Sequence, residues 1–197
     1  MKEVIVATKN KGKAREFAEF FAPYGIRALS LWDLSKNLPD IEETGATFEE
    51  NAALKAEDIS SFLKLPVVAD DSGLVIDALH GSPGIYSARY AGEPKNDQTN
   101  IEKVLAELKG VPAKKRTARF VCILAVAAPH VETTYYKGIC EGSISTSSSG
   151  DNGFGYDPIF IPENSNKTLA EFTPLEKNKI SHRKKAIVQL DSWLKSL

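Results

Sequence analysis

From Phe120 to Ala128 the chain reads FVCILAVAA, and both alternating sets of side chains are apolar. Successive side chains of a strand point to opposite faces. A strand of this composition must therefore be covered on both sides, which makes Arg116 to Ala128 a central strand in a sheet packed by helices. Thr133 to Ile144 reads as its partner across Pro129-His130-Val131-Glu132, a hairpin in which Tyr135 and Tyr136 face opposite sides.

The remaining segments alternate between strand and helix. Glu3 to Ala7 is short and β-branched, and a helix follows with Asn10 as N-cap and Ala14, Phe17 and Phe21 on one face. Ile26 to Leu31 is a strand, and Asp33 to Gly45 is a polar connection containing Asp40, Glu42 and Glu43. Thr47-Phe-Glu-Glu50 is a capping box that opens a helix over 48–63, with Phe48, Ala52, Ala56, Ile59 and Leu63 in its apolar stripe. Residues 81–94 are rich in glycine and proline and read as an ordered loop around a short helical piece. Gln98 to Lys109 is a helix stopped at Gly110-Val-Pro112, Pro158 to Ile161 is a short strand, and Ser181 caps a last helix carrying Ile187, Leu190, Leu194 and Leu197. Strand-loop-helix units combined with a hairpin predict a single α/β domain over residues 1–197 with a mixed sheet.

The formal net charge is -1, so no general attraction to nucleic acid or an anionic membrane is expected. The 2 cysteines, Cys122 and Cys140, form no framework, and without a Cys-x-x-Cys pair the 3 histidines do not suggest zinc. The apolar run Val4 to Ala7 is far too short for a signal peptide or a membrane span. A reducing, cytoplasmic setting fits these features.

Four stretches carry candidate chemistry. In Pro66 to Ile76, PVVADDSGLVI, an apolar strand runs into Asp70, Asp71, Ser72 and Gly73, read as a charged turn. Burying such charge costs several kcal/mol unless it is paired or bound to metal, on the order of ~3–5 kcal/mol for an orphaned ion. Near the start, Lys9, Lys11, Lys13 and Arg15 crowd a helix N-terminus, where the macrodipole disfavours cations; together with outward-pointing N–H groups they suit an anion. At the far end, Lys177, His182 and Arg183 approach the start of the last helix. Between these lies Gly150-Asp-Asn-Gly-Phe-Gly-Tyr-Asp157, whose glycines permit close backbone approach and whose Phe154 and Tyr156 could stack on a flat base. Neither the Walker phosphate loop nor the dinucleotide fingerprint occurs.

Taken together, seven pieces in order resemble the non-canonical purine NTP pyrophosphatase family, the inosine/xanthosine triphosphate pyrophosphatases. They are Thr8-x-Asn10-x-x-Lys13-x-x-Glu16, Glu42-Glu43-Thr-Gly45, Phe48-x-Glu50-Asn51-Ala52 through Lys55-Ala56, Ala69-Asp-Asp-Ser-Gly73, Pro83-Gly-x-Tyr-Ser-Ala-Arg89-Tyr90, Phe154-Gly-Tyr-Asp-Pro158 and Ser181-His-Arg183.

The resemblance implies an elongated two-lobed α/β fold with a central mixed sheet, an active-site cleft between the lobes, and a homodimer. It implies hydrolysis of ITP, dITP and XTP to the monophosphate and pyrophosphate, with Mg2+ as cofactor and neither nucleic acid nor membrane as partner. By the same resemblance Asp71 is the general base and a metal ligand, with Glu42 as second ligand, Glu43 as the alternative and Asp70 in support. Thr8, Lys9, Asn10, Lys11, Gly12, Lys13 and Lys55 would hold the triphosphate and Ser72 would bind beside Asp71. Phe154, Gly155, Tyr156, Asp157, Lys177, His182 and Arg183 would form the base pocket. Donors from His182 and Arg183 suit a 6-keto oxygen and would be left unpaired by a 6-amino group, costing ~1–3 kcal/mol. The alternatives are a pyrophosphatase for another triphosphate, such as a pyrimidine, and a non-catalytic nucleotide- or RNA-binding module.

Overall fold

The computed structural model describes residues 2–34, 38–39 and 41–196. Asp40 and Leu197, named above, lie outside the described residues. A six-stranded sheet runs in the order β2-β1-β3-β4-β5-β6, formed by β1 (Lys2–Val6), β2 (Ile26–Ser30), β3 (Val67–Ile76), β4 (Thr117–Ala128), β5 (Val131–Ile144) and β6 (Phe160–Pro162). It is mixed: β1 is parallel to β2 and to β3, whereas β5 and β6 are antiparallel. The helices are α1 (Lys11–Phe21), α2 (Phe48–Leu63), α3 (Asp97–Glu107), α4 (Pro174–Ile180), α5 (His182–Ile187) and α6 (Asp191–Ser196). No helix among them is long and apolar enough to cross a membrane.

The chain forms two compact units. The first comprises 1–71, 122–138 and 184–197, and the second 72–121 and 139–183. Each has its own core. In the first, Phe17, Phe20 and Phe21 of α1 and Ile187, Leu190 and Leu194 near the C-terminus pack with Val4, Val6, Val68, Cys122 and Leu124. In the second, Ile101, Val104 and Leu108 pack with Leu74, Ile76, Phe120, Ile144, Ile159 and Phe160. Burying each such side chain contributes about 1.5–3 kcal/mol, so either core alone outweighs any single polar contact within it.

The local expectations hold where cap and period agree. Thr47 Oγ1 accepts from the Glu50 N–H, and α2 spans the predicted residues. Asn10 caps α1 by accepting from the Lys13 N–H. β4 is buried along almost its whole length, and Tyr135 is exposed while Tyr136 packs on the first core.

Three expectations are corrected. Asp70-Asp71-Ser72-Gly73 is not a turn, because β3 continues through it to Ile76 with both aspartates buried. Turn propensity yields here because lysines pair the carboxylates inside the sheet. The last helix is not continuous, since a 3-10 turn at Val188–Leu190 separates α5 from α6. Finally, α4 was not expected, although Thr173-Pro-Leu-Glu176 is a capping box with proline in its first turn.

Candidate active site

In the first unit, β3 sends Asp70 and Asp71 to opposite faces, as strand geometry requires. Asp70 is 1% exposed and is ion-paired with Lys13, while the Cys122 thiol donates to its Oδ2 at 3.1 Å. On the other face Lys55 Nζ donates to Asp71 Oδ1 at 2.7 Å, and Glu43 Oε1 lies 3.4 Å from the same ammonium. Lys55 is placed by α2, off the apolar stripe, and its side chain is buried against these acids.

Two carboxylates, those of Asp71 and Glu43, flank the one ammonium of Lys55. Asp71 Oδ2 is buried and has no hydrogen-bond partner among the described residues. Burial pushes the Asp71 carboxyl above its ordinary value, against the pull of Lys55 and Lys13. For Lys55, burial pulls downward but the adjacent Asp71 and Glu43 outweigh it and hold the ammonium above its usual range. A bare, buried carboxylate oxygen beside a second carboxylate is hard-oxygen chemistry of the kind that magnesium takes, completing its shell with water and phosphate. No cluster of three acidic, histidine or cysteine side chains with metal-ligand geometry occurs among the described residues. Glu42, by contrast, is exposed, and Glu43 is the member of the pair beside Lys55.

Asn51 is a residue whose role sequence reasoning did not assign. Fully buried on α2, it accepts from the Gly45 N–H at 2.8 Å and so ties down the segment that carries Glu43. Gly45 is needed there, because a Cβ would lie 2.7 Å from Asn51 Oδ1.

At the start of α1, Thr8 Oγ1 accepts from the Asn10 N–H and the Lys9 carbonyl accepts from the Trp32 indole. The first turn holds no acidic side chain. Lys9 and Lys11 are exposed, whereas Gly12 and Lys13 are half-buried, so Lys13 is the lysine turned toward the acids.

The second unit gathers the other candidates. Asp157 Oδ2 accepts from Lys177 Nζ at 2.6 Å and from the Phe154 N–H at 2.9 Å, fixing the glycine loop to α4. Gly153 has φ +81°, and a Cβ there would overlap the Asp157 carboxylate. Lys177 Nζ lies 4.6 Å and Arg183 Cζ 6.0 Å from the Phe154 ring centroid, so two cations border one aromatic ring. Arg183 also donates to Ser72 Oγ at 3.0 Å, and His182 stacks on Phe120. Tyr156 does not offer a stacking face: its ring belongs to the core and its hydroxyl donates to the Ser87 carbonyl. Its burial keeps the phenol protonated far beyond its ordinary range.

The cavity of about 530 Å³ lined by Gly45, Glu49, Glu50, Ala53, Leu54, Glu57 and Tyr135 contains none of these groups. Three glutamates make it unfit for a polyanion, and Glu50 and Glu57 are engaged with the Ala46 N–H and the Thr133 hydroxyl.

The model of the Ham1 family matches residues 4–193. The chain is 63% identical to the dITP/XTP pyrophosphatase of Oceanobacillus iheyensis over 197 residues, covering 100% of both chains. It is 57% identical to the dITP/XTP pyrophosphatase of Geobacillus kaustophilus, covering 97% of this chain and 93% of that one. Among solved structures it is similar to the Ham1 protein of Staphylococcus aureus, with TM-score 0.86, 45% identity and 99% of each chain covered. A HAM1 protein from Coxiella burnetii is similar over 100% of both chains, with TM-score 0.88 and 41% identity.

Proposed function

The chain belongs to the Ham1 family, and from that premise we propose that it hydrolyses deaminated purine nucleoside triphosphates, ITP, dITP and XTP, to the monophosphate and pyrophosphate. The observation that carries the catalytic assignment is the buried Oδ2 of Asp71, without a hydrogen-bond partner among the described residues, while the other oxygen is fixed by Lys55.

Water attacks the α-phosphorus, and its proton passes to the Asp71 carboxylate as the bond to the oxygen bridging the α and β phosphorus atoms breaks. The raised proton affinity of a buried carboxylate suits a general base. Lys55 keeps that carboxylate oriented, and Lys13 with the N-terminal turn of α1 receives the leaving pyrophosphate, supported by Thr8 and Asn10. Asp71 and Glu43 would hold magnesium, which when bound offsets the charge of the phosphates. Asp70 stays paired with Lys13 and supports the geometry.

Phe154 stacks on the base, and Lys177, His182 and Arg183 present donors to its 6-keto oxygen. Adenine, with a 6-amino group there, leaves those donors unsatisfied, a loss of ~1–3 kcal/mol per contact. Nucleotide-pool chemistry places the enzyme in the cytoplasm, and the assembly is a homodimer, in line with the resemblance noted in the sequence.

Product analysis tests the reaction. Magnesium-supplemented protein given inosine triphosphate should release inosine monophosphate and pyrophosphate in equal amounts; inosine diphosphate with inorganic phosphate would contradict the assignment.

A further inference from the structure

The glycine loop of the second unit is held by two successive backbone N–H groups. Phe154 donates to Asp157, which is itself in the base site, but Gly155 donates to Asp97 Oδ2 at 2.7 Å. Asp97 lies 58 residues away in sequence, is exposed, and is the acidic residue in the first turn of α3, where the helix dipole favours a carboxylate. Gly155 sits at φ +60°, a conformation glycine adopts without penalty.

The same end of α3 is anchored on its inner side. Asn100, one turn further on, accepts from the Ala91 N–H at 2.7 Å and donates to the Ala88 carbonyl at 3.2 Å. That segment is joined to β3, because Ser87 Oγ accepts from the Leu74 N–H at 2.9 Å, and to the loop, because the Ser87 carbonyl accepts from the Tyr156 hydroxyl at 2.8 Å. The frame around Ser87 is therefore buried and fixed, while the last bond to the loop is made by a solvent-facing carboxylate.

Resting on the base-binding role proposed for Phe154 and Asp157, we propose that Asp97 is a positioning residue that latches the base loop to α3 through the Gly155 N–H. It touches no substrate. It sets the height of the Phe154 ring over the base and holds the backbone between Phe154 and Asp157 in one arrangement, so it contributes to KM for the base and not to the chemical step.

Asp97→Ala and Asp97→Asn, in the full chain, separate this role from a general structural one. Removing one charge-assisted hydrogen bond at an exposed site should raise KM for inosine triphosphate by roughly 3- to 10-fold. The kcat should stay within about twofold, and hydrogen exchange should quicken at Phe154 and Gly155 with other amides unaffected. Asp97→Asn keeps a carbonyl acceptor and should recover most of the lost KM. Unchanged KM and unchanged exchange in Asp97→Ala would overturn the latch, as would equal losses in both variants accompanied by a fall in Tm. If the wild-type protein does not split inosine triphosphate, the functional reading fails, and the exchange rates of Phe154 and Gly155 still decide the latch.

Discussion

Lys55 Nζ lies 2.7 Å from Asp71 Oδ1, and the other oxygen of that carboxylate is buried without a partner among the described residues. One lysine thus orients the acid while leaving a lone pair directed away from itself. Asp71→Asn keeps the size and one acceptor but removes the basic oxygen. The expected outcome is loss of pyrophosphate release by at least ~10²-fold, the lower end of what a positioned base contributes, with far-UV circular dichroism unchanged. Turnover within tenfold of wild type would remove Asp71 from the role of base.

The titration of Asp71 in metal-free protein follows from its burial. Its folded value is raised, so the protonated form is favoured by folding: that contribution is fully present below the unfolded pKa and is lost as pH rises through the folded one. The carboxyl carbon resonance should therefore titrate above the ordinary ~3.9 of aspartate. Lys55→Met removes a cation that lowers the value and should move the midpoint further up. A midpoint at or below the ordinary range would contradict the described balance.

How much of this was legible in the sequence differs by residue. α2 and β4 were readable because caps, period and apolar content agree within a single window. The Asp-Asp-Ser-Gly segment was not, because local chemistry favours a turn, whereas in the strand Asp70 pairs with Lys13 and Asp71 with Lys55, partners distant in sequence. The choice between Glu42 and Glu43 depends on a loop whose direction is set by Asn51 and Gly45. Tyr156 was read as a stacking ring because an aromatic between glycines does not reveal which side the core lies on. The acids, lysines and glycines were legible as groups; which partner each takes depends on strand register and helix rotation, and those follow from tertiary packing.

Lys177→Met should be costly to the fold as well as to binding. Asp157 is 2% exposed, and the substitution leaves its charge without the ammonium 2.6 Å away. Breaking such a pair from one side costs about 3–5 kcal/mol, whereas removing both charges costs less. Urea unfolding of Lys177→Met and of Lys177→Met with Asp157→Leu should give a smaller loss for the double variant. A single-variant loss below about 1 kcal/mol would mean that the pair is solvated in solution.

Gly153→Ala tests the glycine loop through backbone sterics. The added Cβ would overlap the Asp157 carboxylate, and φ +81° is strained for any residue with a side chain. KM for inosine triphosphate should rise by roughly tenfold or more, the effect of ~1.4 kcal/mol, while Gly25→Ala, in the first unit and also at positive φ, should alter stability alone. Equal KM values in the two variants would argue against a base-binding role for the loop.

The central claim is that the donors in the second unit choose the base and that Asp71 with its neighbours cuts the triphosphate. It is tested most directly by kcat/KM for ITP, dITP, XTP, ATP and GTP, measured as pyrophosphate release with and without magnesium. The account predicts magnesium-dependent release, with ITP, dITP and XTP preferred over ATP by at least ~10²-fold, the product of two unsatisfied donor contacts. Equal kcat/KM for ITP and ATP, or undiminished release in the presence of a chelator, would contradict it.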